Sequence, residues 1–274
     1  MHEFVSFNHQ ISPANQVKIN GISAATFYGN GIFTTIAVYH SKPFLWEKHW
    51  QRLTKNAVQL GIDISDFSEE SVKNALSEII DYNKVTTGRA RLTLFDESST
   101  EIWQTENVEK TSLLIITANS RATPKPLQLT ISPYRVNSKS SLVNIKSCNY
   151  LENILALREA KQKGFGEAVR LNERNELVSA CMANIFWIKN DEIFTPNLET
   201  GALQGTTRDF ILDNFSVIEK SANLQELQSA DGIFLTSAGI GIAQIETFDG
   251  QKYVFSNIFY QIEQLFIKIG NISK

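Results

Sequence analysis

Lys146 stands in an apolar setting, Leu142-Val143-Asn144-Ile145-Lys146. An amine held among such side chains loses hydration, so its pKa falls and the neutral nucleophile becomes available for Schiff-base chemistry. The competing reading is a strand lysine whose head snorkels to the surface. Further along, Gly205-Thr206-Thr207-Arg208 opens a helical stretch. Free backbone N–H groups and the macrodipole favour an anion there, and two hydroxyls stand ready for phosphate oxygens. A threonine N-cap, with Thr206 and Asp209 as a capping-box-like pair, accounts for the same residues without a ligand. Ser237-Ala238-Gly239 follows a strand-like run and reads either as a second phosphate contact or as a plain turn. His49 and Arg52 are three apart and share a helix face, where an arginine is ordinarily solvated or salt-bridged.

Other chemistries find little support. The histidines, His2, His9, His40 and His49, show no ligand spacing, so no metal is expected. There is no G-x-S-x-G nucleophile motif. Gly29-Asn30-Gly31 fails as a nucleotide loop because Thr34 stands where G-x-G-x-x-G needs its third glycine.

The elements that must position these residues follow from periodicity. Residues 4 to 45 read as strands, with Ile32 to Tyr39 rich in β-branched and aromatic side chains, a tight turn at Phe27 to Gly31, and a hairpin turn at Ser41-Lys42. Trp46, Trp50, Leu53, Ala57 and Leu60 recur at helical steps, predicting a helix from Trp46 to Leu60. A second helix covers Ser68 to Tyr82 with Ser68 as N-cap. Strands follow at Arg89 to Phe95 and Thr111 to Ala118. Residues 119–126, with two prolines, read as a linker. Beyond it come a strand (Leu127 to Tyr134), the lysine stretch, a helix (Leu151 to Lys163), a strand-like hairpin (Ala168 to Phe194) and a helix from Thr206 to Asn214. A short helix (Leu224 to Gln228), a strand (Ile233 to Ser237) and a closing helix (Ser256 to Lys268) complete the chain. The expectation is an α/β (α+β) chain of two domains: a small α/β domain at 1–118, the linker, and a large domain at 127–274 carrying the lysine and the phosphate cup.

With 274 residues, 42% hydrophobic and 20% charged, the composition is that of a soluble globular protein able to bury a sizeable core. Its 26 basic and 29 acidic residues give a net charge of −3. No long basic run is present, which argues against nucleic-acid or anionic-lipid partners. Cys148 and Cys181 are far apart and not in a C-x-x-C arrangement, which suits a reducing compartment. Neither a signal peptide nor a run long enough to span a membrane is visible, so a cytoplasmic enzyme is expected.

Taken together, Lys146 with Asn149 and Tyr150, the run Ala183-Asn184-Ile185-Phe186-Trp187, and Gly205-Thr206-Thr207-Arg208 occur in an order that resembles the fold-type IV pyridoxal-phosphate enzymes, the class IV aminotransferase family. The resemblance spans about Asn20 to Ile245. It implies a D-amino-acid aminotransferase-like fold, pyridoxal 5'-phosphate as cofactor, a small amino substrate and a homodimer. Lys146 would carry the cofactor and shuttle the proton. Arg52, in His49-Trp50-Gln51-Arg52-Leu53, would bind the phosphate with Thr206 and Thr207, and with Ser237 behind them. Leu203 would pack against the pyridine ring, with Tyr150 in the same cofactor-binding set. Tyr28 and Phe33 would line the substrate side.

Gly29 to Thr35 and Ala183 to Pro196 look most like the 4-amino-4-deoxychorismate lyases, which serve folate synthesis. A branched-chain or D-amino-acid aminotransferase is the alternative, and a weakly catalytic cofactor-binding protein a third. Two departures stand out. Ser179 occupies the place of the glutamate that normally holds the pyridine nitrogen protonated; Glu176, three residues earlier, points elsewhere on simple alternation. The T-R-G arginine for a substrate carboxylate is also missing, leaving Arg89 or Arg91 as substitutes.

Overall fold

The computed structural model describes residues 1–99, 110–121, 127–254 and 257–272. The chain forms two compact units, Met1–Arg121 with Ile145–Asn149, and Ala122–Asn144 with Tyr150–Lys274. Residues 122–126 of the expected linker lie outside the described residues.

The first unit runs β1 (Phe4–Phe7), β2 (Gln10–Pro13), α1 (Ala24–Tyr28), β3 (Gly31–Tyr39), β4 (Lys42–Pro43), α2 (Trp46–Leu60), α3 (Glu69–Tyr82), β5 (Thr87–Asp96) and β6 (Thr111–Ala118). Its strands make one antiparallel sheet in the order β2-β1-β6-β5-β3-β4. The apolar stripe of α2 (Trp46, Leu53, Ala57) and that of α3 (Val72, Leu76, Ile79) bury against Ile32, Ile36, Leu92 and Leu94 of the central strands. Helix α3 starts where the Ser68 hydroxyl accepts from Ser71 N, ahead of Glu69 and Glu70, which favour the positive end of the dipole.

Two local expectations are corrected here. The stretch before β3 contains a helix, α1, closed at its start by Ser23 and Thr26 bonding reciprocally and at its end by Gly29 in the left-handed region (φ 66°). Five residues are too few to display a helical period, and a threonine stands in for the usual Glu or Gln of a capping box. The β3–β4 turn falls at His40-Ser41, both left-handed (φ 49° and 59°), one residue earlier than expected. Such mirror-image turns match the twist of the flanking strands.

The second unit runs β7 (Gln128–Ile131), α4 (Leu151–Gln162), β8 (Glu167–Leu171), β9 (Leu177–Ala180), β10 (Asn184–Lys189), β11 (Glu192–Pro196), α5 (Thr206–Asn214), β12 (Val217–Lys220), α6 (Leu224–Gln228), β13 (Gly232–Ser237), β14 (Gly241–Gln244), β15 (Thr247–Phe248), β16 (Gln251–Lys252) and α7 (Asn257–Gly270). Two five-stranded sheets form, β12-β11-β10-β13-β14 and β16-β15-β7-β8-β9. Leu129, Val169 and Leu171 of the latter share one core with Ile185, Trp187, Ile233 and Leu235 of the former.

The single hairpin expected over Ala168 to Phe194 is therefore two. β8–β9 and β10–β11 belong to different sheets. Alternation within a strand says which face is buried, but not which sheet receives it. The closing helix starts at Asn257, and Ser256 lies outside the described residues. Among the described residues, no helix is long and apolar enough to cross a membrane.

From sequence, Lys146 is expected within 127–274. Its backbone instead joins the first unit: Phe33 N donates to Lys146 O at 2.9 Å, Cys148 N donates to Gly31 O at 2.8 Å, and Ser147 bridges Ile32. The lysine is pinned along β3 without forming a full strand.

Leu76 is fully buried in the first core, so Leu76→Ala should lower stability by about 2–5 kcal/mol through lost transfer energy and a residual cavity. Urea unfolding measures this, and a loss below about 1 kcal/mol would contradict the packing described.

Candidate active site

Helix α2 carries His49, Arg52 and Asn56 at three- and four-residue steps, so all three share one face. Strand β3 presents Thr34 to them. Arg52 Nη2 donates to Thr34 Oγ1 at 2.8 Å, and Thr34 Oγ1 lies 2.6 Å from His49 Nδ1. With its oxygen accepting from Arg52, the hydroxyl has its proton to give to the imidazole. His49 is buried, and burial, then Arg52, then Lys146 hold its pKa well below 6.5. It is neutral at physiological pH.

Asn56 Oδ1 accepts from Lys146 N at 3.0 Å, fixing the lysine backbone from the helix side while β3 fixes it from the other. Lys146 Nζ lies 4.4 Å from the centroid of the Phe33 ring, and the Arg91 guanidinium 3.6 Å from the same centroid. The residue as a whole is half-buried, yet protein surrounds its amine. Burial first, then Arg52 and Arg91, drive its pKa well below 10.5. Arg91 also faces Cys148, whose thiol is nonetheless raised by burial.

The first unit thus gathers Lys146, Arg52, Phe33 and Arg91. Tyr28, 39% exposed at the end of α1, sets its ring edge-on to Phe27. Asn149 Nδ2 donates to the adjacent Gly29 carbonyl at 3.1 Å. Sequence reasoning overlooked Thr34 and Asn56 and treated His49 only as a neighbour of Arg52. Their signal is polar side chains recurring on the apolar face of a helix, with a threonine inside a buried strand.

In the second unit, α5 begins with Thr206 and Thr207, both buried. Its N-cap is Gly205, which has no side chain to make a capping bond, so the expectation of a threonine at the cap is corrected. Asp209 accepts from Gln204 Nε2 at 3.1 Å. The Gly205 position is imposed by Asn184 of β10. Its Nδ2 donates to Leu203 O at 2.8 Å, and its Oδ1 sits 2.0 Å from where a Cβ on residue 205 would be. Arg208 is fully buried and bonds Pro196 O and Glu219, which anchors the first turn of α5 to the sheet.

Ser237 closes β13 opposite Gly241, half-buried, in a turn where Ile240 N donates to Ser237 O at 3.3 Å. Tyr150 is the N-cap residue of α4. Ser179, on β9, lies opposite Arg170 of β8. Glu176 accepts from Asn172 Nδ2 at 2.7 Å and Arg174 Nε at 2.9 Å, so its carboxylate is engaged in the β8–β9 turn.

A family model described as amino-transferase class IV matches residues 31–248. The chain belongs to the class IV aminotransferase family. Members are pyridoxal-phosphate-dependent enzymes. The chain is 28% identical over 235 residues to the aminodeoxychorismate lyase of Bacillus subtilis strain 168, covering 82% of this chain and 80% of that one. It is 26% identical over 254 residues to a Bacillus licheniformis D-alanine aminotransferase, covering 90% and 89%. Among solved structures, it is similar to a Legionella pneumophila protein whose own assignment as a 4-amino-4-deoxychorismate lyase is provisional. That match has TM-score 0.88 and 28% identity, covering 93% of this chain and 97% of that one.

The donor chemistry of each unit, taken by itself, suits such a cofactor. The first holds a neutral amine with guanidinium groups beside it. The second holds a helix start whose N-cap is a glycine with no side chain to cap it, a setting that favours an anion.

Because the folded protein depresses the Lys146 pKa, the unfolded chain binds more protons between the folded and unfolded lysine values, and stability rises with pH across that window. Lys146→Met should therefore stabilise the cofactor-free protein at pH 7, with a gain that shrinks as pH approaches 10.5. Thermal unfolding of both proteins at neutral and alkaline pH checks this. An equal or growing gain at alkaline pH would contradict the neutral amine.

Proposed function

We propose that this chain is a lyase that converts 4-amino-4-deoxychorismate to 4-aminobenzoate and pyruvate, a step of folate synthesis, and that it works as a cytoplasmic homodimer with pyridoxal 5'-phosphate. The observation that carries the reading is the buried amine of Lys146, over the Phe33 ring, whose pKa burial, then Arg52 and Arg91, drive well below 10.5. The likeness to the Bacillus subtilis lyase supports the choice of reaction.

The residues take these roles in the proposal. Lys146 holds the cofactor and afterwards serves as the proton shuttle. Arg52 binds the phosphate, oriented by the Thr34 hydroxyl. The N-terminal N–H groups of α5 with the Thr206 and Thr207 hydroxyls bind it too, supported by Ser237. Leu203 packs on the ring face, and Tyr150 completes the cofactor set. Phe33 and Tyr28 line the substrate side, where Arg91 takes a substrate carboxylate in place of the missing T-R-G arginine.

The bound cofactor supplies an electron-withdrawing system conjugated to the carbon that carries the substrate amine. Neutral Lys146 takes the proton from that carbon. The C–H electron pair becomes the last double bond of the aromatic ring as the C–O bond to the enolpyruvyl group breaks. A proton returned to the departing enol gives pyruvate, so no 2-oxo acid is consumed. A D-amino-acid aminotransferase is the second reading, favoured by the Bacillus licheniformis relative, and it requires a 2-oxo acid for turnover.

Pyruvate release separates the two. Purified protein supplied with chorismate, ammonia and a separate aminodeoxychorismate synthase, without 2-oxo acid, should give pyruvate in a lactate-dehydrogenase readout, and Lys146→Ala should abolish it. Absence of pyruvate, with turnover of D-alanine on adding 2-oxoglutarate, would replace the lyase by the aminotransferase. Arg52→Ala should weaken cofactor binding roughly 10- to 150-fold, the loss of one charge-assisted hydrogen bond of about 1.5–3 kcal/mol. Spectroscopic titration with pyridoxal phosphate measures it, and unchanged affinity would remove Arg52 from the phosphate site.

A further inference from the structure

β8 and β9 place Arg170 directly opposite Ser179. Opposed residues of an antiparallel pair project on the same face. That face is turned to α4: Ala168, two residues before Arg170, packs with Ala156 and Ala160 of that helix. Arg170 Nη2 binds Glu152 Oε2 at 2.7 Å in the first turn of α4.

The ion pair occupies only part of the guanidinium. The Arg170 side chain is 3% exposed against 57% for Glu152, and its buried Nε has no acceptor among the described residues. A buried N–H left without an acceptor costs about 1–3 kcal/mol, so an unfilled donor here calls for a ligand with a lone pair. Ser179 beside it is the one residue of β9 that is not buried, and its hydroxyl can donate as well.

Nearby carboxylates are otherwise engaged. Glu176 binds Asn172 and Arg174, and Glu167 Oε2 accepts from Met182 N at 3.2 Å. Ser179 stands where the family resemblance places the glutamate that faces the ring nitrogen. Here, a buried cation and a hydroxyl take the place of that negative charge.

We propose that Arg170 and Ser179 act as hydrogen-bond donors to the cofactor's ring nitrogen, so that the pyridine is held unprotonated. The proposal rests on the cofactor reading above. A guanidinium facing the nitrogen opposes a second positive charge there, and both partners need an acceptor, which a neutral pyridine nitrogen is and a pyridinium is not. The ring is then a weaker electron sink. That suits an elimination drawn forward by aromatisation more than a reaction in which the cofactor carbon must itself be reprotonated.

The test is nitrogen NMR of the holoenzyme loaded with pyridoxal phosphate carrying nitrogen-15 in the ring. Borohydride reduction of a parallel sample followed by peptide mapping shows whether the label is fixed on Lys146. The wild-type resonance should fall in the neutral-pyridine range across neutral pH. Arg170→Met with Ser179→Glu should move it to the pyridinium range, and Ser179→Glu alone, at a position that is not buried, is read in the same way if the double variant does not fold. A label fixed on Lys146 with a pyridinium signal in the wild type overturns this inference and leaves the cofactor reading intact. A variant resonance that stays at the wild-type position overturns it equally. No label on Lys146 overturns the cofactor reading and the inference with it.

Discussion

The first unit is organised around the need to keep one amine uncharged. A lysine on a mobile segment would extend its stem and hydrate its head. This one is denied that freedom because its backbone is bonded on both sides, by Asn56 Oδ1 at its N–H and by Phe33 N at its carbonyl. The side chain then ends over the Phe33 ring with Arg91 against the same ring. Cation–π attraction favours the charged amine by about 0.5–2 kcal/mol. Desolvation of the buried amine acts in the opposite sense and is the larger effect, and two guanidinium groups add to it. Desolvation wins, and the amine's pKa falls well below 10.5, toward the neutral nucleophile.

That arrangement explains why the polar residues beneath it are neutral or shared. A protonated His49 would bring one more cation to a group that already holds Arg52 and Arg91 beside the Lys146 amine. Burial keeps it neutral. A neutral imidazole can accept the Thr34 proton, which leaves the Thr34 oxygen for Arg52. Arg52 is thereby oriented by a neutral hydroxyl. A carboxylate would have oriented it equally well, but would also have pulled the Lys146 pKa upward.

Much of this was legible in the sequence where the signal is local. The stripe of α2, the N-cap of α3 and the span of α5 follow from period and capping chemistry. The roles of Thr34 and Asn56 do not, because they arise when β3 meets α2 across the sheet, and neither residue is unusual in its own neighbourhood. The pairing of Lys146 with β3 joins segments more than a hundred residues apart, so linear order alone assigned the lysine to the wrong neighbours. For the same reason β8–β9 and β10–β11 looked like one hairpin. The threonine cap failed for another cause: Gly205 is required by the Asn184 side chain lying where a Cβ would go, a steric fact with no sequence pattern.

The loop before α5 shows how a buried structural residue can serve a binding surface. Arg208 has the charge expected of an anion ligand, yet it is buried and its Nη2 bonds Pro196 O and Glu219. Asn184 likewise bonds the Leu203 carbonyl. Together they fix the entry and the first turn of the helix, whose N-cap glycine has no side chain to cap it. A threonine cap at residue 205 would have satisfied one of the first N–H groups internally and weakened the helix start as an anion site. Glycine there suits the phosphate role proposed for this helix start, and the arginine one turn inside holds the helix in place.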